Sequence, residues 1–159
     1  MTICAAEWIC NFFQLDNSYK QRVLAKVDDT KPNTNGFDIY ITAPVKIIAE
    51  VKCIAPINNG DKYGAAQWNS ILDDASKLKN GKRALLDTSD YYKFLFLVDL
   101  GKRTNQAISQ LLRQSKGTSD KPLRANRHKV KEHILLLTDT DLKENLLLDK
   151  IYIKSIKLK

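Results

Sequence analysis

Cysteine is scarce and its number is odd: the chain has three, Cys4, Cys10 and Cys53. Without paired metal-ligand spacing they exclude a disulfide framework or a cysteine-held zinc as an organising feature. Free thiols in a reducing cytoplasm are expected. No apolar run reaches membrane-spanning length, since Tyr91 to Leu100 is interrupted by Lys93 and Asp99 and is far too short. No basic leader precedes the first apolar residues, so a secretory signal is not expected. Histidine is limited to His128 and His133; they have no spaced partners, and neither is expected to be catalytic. Acids are nearly missing from one long segment. Between Gly101 and Lys131 a single acid, Asp120, stands among Lys102, Arg103, Arg113, Lys116, Lys121, Arg124, Arg127, Lys129 and Lys131. The rest of the chain has 17 bases and 17 acids. A positive block on a neutral body suits a polyanion, and these nine bases are the expected contacts to nucleic acid.

What is present is an ordinary globular composition, 43% hydrophobic and 28% charged over 159 residues. That is enough for one domain with its own core and no membrane association. Apolar spacing predicts a helix from Ile3 to about Leu15, capped by Thr2, with Glu7 between Ile3 and Cys10 and able to face inward. Asp16, Asn17 and Ser18 end that helix, and Val23, Ala25 and Val27 alternate as a first strand. A turn follows over Asp28 to Gly36. Two strands then flank Ala43-Pro44-Val45. A long helix from about Asp61 to Lys79 carries Trp68, Ile71, Leu72, Ala75 and Leu78 on one stripe and stops at Asn80-Gly81. Later elements are a strand over Tyr91 to Leu100, a helix over Thr104 to Gln114, a long loop over Gly117 to Lys131, and strands at His133 to Thr138 and within Leu146 to Ile156. Asp73 and Asp74 are expected on a solvated helix face, and Asp99, Asp139 and Asp141 in turns. The order predicts an α/β protein, a three-layer α/β/α sandwich with a central mixed sheet. No internal repeat is evident.

The charges inside the paired strands require an explanation. Phe37, Ile39 and Ile41 alternate with Asp38 and Tyr40, while Ile47 to Cys53 is apolar except for Glu50 and Lys52. Glu50 and Lys52 are spaced i, i+2 and leave one face of their strand. A hairpin pivoting near Pro44 sets Asp38 opposite Glu50. Facing like charges are unfavourable unless something positive lies between them. Two converging carboxylates supply hard oxygen ligands for Mg²⁺ or Mn²⁺, leaving positions for water and a phosphate oxygen. Lys52 would lie beside that water, so the expected chemistry is phosphodiester hydrolysis.

Asp38 followed across eleven residues by Glu50-Val51-Lys52, on apolar strands after an acid-bearing helix, resembles the core of the PD-(D/E)xK nucleases, the restriction endonuclease-like superfamily. In topology the likeness covers about residues 3 to 100, followed by the basic segment 101 to 131 and C-terminal strands at 132 to 159. Phe37 departs from the proline that the family often has there. The resemblance implies a Mg²⁺- or Mn²⁺-dependent endonuclease acting on DNA. Asp38 and Glu50 would bind the metal, with the Val51 carbonyl and Glu7 as further ligands. Lys52 would position the attacking water, and Gln67, on the helix after the lysine strand, would orient the lysine or touch the phosphate backbone; Tyr63 is a weaker match. A homodimer, or partner subunits of a larger nuclease system, would fit such an enzyme. Two other readings stay open: a non-catalytic nucleic-acid-binding module of the same fold, and an unrelated α/β protein whose charges are structural.

Overall fold

A computed structural model describes residues 1–29, 36–57, 61–101, 103–113 and 129–158. Helix α1 spans Thr2–Phe12 and helix α2 spans Asn17–Asp28. Strands β1 (Ile39–Ile41) and β2 (Ile47–Lys52) follow, then α3 (Ala65–Asn80), β3 (Tyr92–Asp99) and α4 (Thr104–Arg113). A short 3₁₀ turn, Val130–His133, leads into β4 (Ile134–Leu136), and a second, Lys143–Asn145, precedes β5 (Ile151–Lys157). The five strands form one mixed sheet in the order β1-β2-β3-β5-β4. Only β1 runs antiparallel to its neighbour; the pairs β2/β3, β3/β5 and β4/β5 are parallel. The architecture is α/β, as expected. No helix among the described residues is long and apolar enough to cross a membrane.

Alternation along the strands sends side chains to two cores. On one face Ile39, Ala49, Phe94 and Phe96 pack against α1 and α2; on the other Ile48, Leu95 and Leu97 pack against α3 and α4. Trp8 of α1 stacks on Phe12 at 4.7 Å between ring centroids and meets Phe94 and Phe96 edge-on. Phe94 and Phe96 are wholly buried, and burial of such a side chain stabilises by about 1.5–3 kcal/mol. Helix α3 ends where Gly81 takes a φ of +87°. A Cβ there would stand 2.5 Å from the Leu86 carbonyl oxygen, so the glycine is required on two counts.

Two local expectations change. Thr2 is the first residue of α1 rather than its cap, and no side chain caps that end. Val23 to Val27 belongs to α2, not to a strand. Spacing by four satisfies both periods, so Val23 and Val27 fit a strand and a helix equally. Tyr19, one turn earlier, also packs on this core and extends the helical stripe. Asp16 decides the outcome: its Oδ1 accepts from the Tyr19 amide at 2.9 Å and the Ser18 hydroxyl at 2.6 Å, capping α2. The turn expected at Asp28 to Gly36 lies largely outside the described residues, as does most of the loop at 117 to 131.

Candidate functional site

The hairpin register is Ile39↔Ala49, Tyr40↔Ile48 and Ile41↔Ile47. Continued by one step, it sets Asp38 opposite Glu50, as the pivot at Pro44 requires. β1 begins at Ile39, so the edge of β2 beyond Ala49 has no strand partner on that side. Asp38 fills the vacancy, its Oδ2 accepting from the Val51 amide at 2.8 Å. The Val51 carbonyl leaves the pleated strand on the same side as its N–H. The two acids, that carbonyl and Lys52 therefore gather at the carboxyl end of β2.

Each charge here has a partner. Lys82, just after α3, forms an ion pair with Glu50 Oε1. Its ammonium also donates to the Gly36 carbonyl at 2.9 Å and lies 5.0 Å from the Phe37 ring centre. Lys52 pairs with Asp74 Oδ2 at 2.5 Å, and Lys77 with Asp74 Oδ1 at 2.8 Å. Burial pushes the Glu50 carboxyl up to about 7; Lys82 opposes the rise, while Asp38 and Asp74 add to it. The Asp74 hydrogen bond raises Lys77.

Asp74 is thus not on a solvated face; it is buried. Its place was legible, for it stands three residues after Ile71 and four before Leu78, inside the apolar stripe of α3. Lys82 left no such trace. It reaches Glu50 only because the chain reverses after Gly81, a tertiary event.

Gln67 is placed differently from the expectation. Its Oε1 accepts from the Gly64 amide at 2.9 Å and its Nε2 donates to the Ala55 carbonyl at 2.7 Å, closing the start of α3. The lysine is oriented by Asp74 instead. Glu7 lies on α1, which packs on the opposite face of the sheet, and it lines a cleft with Asp99, Asp139 and Lys154. The structure does not bring Glu7 to Asp38 and Glu50. Tyr63 is buried on the α3 face, and burial raises its phenol.

Of the nine segment bases, Lys102, Lys116, Lys121, Arg124 and Arg127 lie outside the described residues. Arg103, Arg113 and Lys129 are exposed, whereas Lys131 is half-buried 5.0 Å from the Trp68 ring centre. Comparison with family models, curated proteins and solved structures finds no match, so the residues carry the functional reading by themselves.

The donor set fits a hard divalent cation held by few protein ligands. Among the described residues no group of three or more His, Cys, Asp and Glu side chains converges on one point. A Mg²⁺-type ion needs no such cage, because it keeps several waters and is commonly bound through one or two carboxylates. A positive charge already stands against Glu50 in the form of the Lys82 ammonium.

Proposed function

We propose that the carboxyl end of β2 is the active centre of a metal-dependent endonuclease that hydrolyses phosphodiester bonds of DNA. The observation that supports it most is the register, which faces Asp38 with Glu50 and puts Lys52 on the same side. Asp38, Glu50 and the Val51 carbonyl would hold Mg²⁺ or Mn²⁺. The bound ion would polarise a phosphate oxygen and lower the pKa of a coordinated water.

The chain's own residues supply the rest. Lys52, ion-paired to Asp74, acts as a fixed donor and positive charge that orients the water and offsets charge growing on phosphorus. Asp74 positions it. The Val51 amide holds Asp38 in place, and burial shields Glu50 from bulk water. Restriction endonuclease-like architecture is the finer fold reading, supported by the antiparallel β1/β2 hairpin, the α3 crossover and the parallel β3. The helical α2, in place of a first strand, departs from that pattern.

A second reading has its own support: Glu50, Lys52 and Asp74 are each ion-paired within the protein, as in a nucleic-acid-binding module without catalysis. Incubation with supercoiled plasmid and Mg²⁺ or Mn²⁺ separates the two. The endonuclease converts plasmid to open-circular or linear forms, and Glu50→Ala does not; a wild type that binds but never cuts supports the module.

A further inference from the structure

We infer that the cleft between α2 and β1 receives one strand of the nucleic acid next to Asp38, with Arg22 and Lys26 on its phosphates and Tyr40 beneath a base. The inference rests on the endonuclease reading for the meaning of Asp38, but not for binding itself.

The cleft has a volume of about 160 Å³ and is lined by both elements, Arg22, Lys26, Asp38 and Tyr40 among them. Arg22 and Lys26 are one helical turn apart, so they share a face of α2, and both are exposed. Each lies on an aromatic ring: Arg22 is 4.9 Å from the centre of Tyr19, and Lys26 is 5.6 Å from that of Tyr40. Tyr40, 37% exposed, continues to Tyr91 with ring centres 5.8 Å apart and hydroxyls 3.2 Å apart. Lys46 lies 5.8 Å from the Tyr91 ring centre at the far end. Cations and rings therefore line one path from α2 to the edge strand, at whose far end Lys46 is paired with Asp90 at 3.3 Å.

That arrangement suits a strand that carries both phosphates and bases. Single-stranded nucleic acid is held by positive grooves that follow the backbone and by aromatic side chains on which bases stack. An acidic peptide would satisfy the cations and leave the exposed part of the Tyr40 ring uncovered. The cleft's charged lining is two bases against one acid. That acid, Asp38, already has one oxygen engaged by the Val51 amide. The strand held here would end at the Asp38–Glu50 pair.

The test is fluorescence anisotropy of labelled single-stranded DNA, without divalent ions, over a salt series. Arg22→Gln/Lys26→Gln is expected to weaken binding about tenfold and to reduce the salt slope by about 1.4, the loss of two phosphate contacts to a single strand. Tyr40→Ala is expected to weaken binding about fivefold or more with the slope unchanged. Lys150→Gln, which is not part of the cleft lining, should change neither. Wild-type affinity and slope in the double variant, with an unchanged circular dichroism spectrum, would overturn the inference, as would an equal loss in Lys150→Gln. If these effects appear in a protein that never cuts plasmid, the cleft stands and the endonuclease reading falls.

Discussion

Two charged residues on neighbouring strands of this sheet are buried to similar degrees and held by different kinds of partner. Lys93, near the amino end of β3, is 3% exposed, and Glu50, near the carboxyl end of β2, is 6% exposed. Lys93 donates to the Tyr91 carbonyl at 2.8 Å and the Leu148 carbonyl at 2.7 Å. It fastens the segment before β5 to the sheet through neutral, fixed acceptors. Glu50 instead meets a lysine side chain from another element, beside a second acid and a second ion pair. A charge held by backbone carbonyls is structural and has no exchangeable partner. A charge held by a side chain can give up that partner to a ligand. Burial alone does not tell the two apart; the nature of the partner does.

The comparison can be tested from both ends. If the proposed endonuclease reading holds, Lys52→Ala should lower the cleavage rate by about 10²–10³-fold while DNA affinity changes little, a magnitude typical for a donor to a transition-state oxyanion. Rate and affinity measured on the same preparation check it; cleavage within threefold of wild type would remove Lys52 from the mechanism.

Glu50→Gln should stabilise the protein above pH 7. Folding raises the Glu50 carboxyl from 4.5 to about 7, so between those values the folded state binds the proton that the unfolded state has released. Stability contributed by this group is therefore present at low pH and lost as pH rises through that window. The full shift corresponds to roughly 3 kcal/mol at most. Urea unfolding at pH 5 and pH 8 is the check: the variant should gain on the wild type only at pH 8, and equal stability at both would contradict the buried acid.

Lys93→Met should cost about 1–3 kcal/mol by leaving two carbonyls without their donor. Thermal unfolding with and without Mn²⁺ should show the same loss, because this lysine has no part in the proposed metal site. Asp74→Asn should have the smallest effect, about tenfold on the cleavage rate at unchanged fold, since an amide still holds Lys52 but without charge. A rate unaffected by Asp74→Asn would mean that Lys52 is positioned by something else.

Much of this arrangement was legible because it follows from local periods. The i, i+2 spacing of Glu50 and Lys52 gives their shared face, and the distance of Asp38 and Glu50 from Pro44 gives their pairing. The apolar runs of β2 and β3 and the stripe of α3 mark the core. What stayed hidden depended on coincident periods or on chain reversal. Val23 and Val27 fit both a strand and a helix, and only the Asp16 cap chose between them. That choice carried Arg22 and Lys26 from a presumed sheet onto a helix face beside Asp38. Lys82 and Gln67 were hidden differently, since their roles depend on a turn and on a loop carbonyl that no pattern along the chain marks.

The central claim is that Asp38 and Glu50 share a divalent cation, and Mn²⁺ titration by isothermal calorimetry tests it most directly. The wild type should show saturable binding, which Asp38→Asn and Glu50→Gln each abolish and Glu7→Gln leaves intact. No saturable binding in the wild type, or binding that survives loss of either acid, would contradict it.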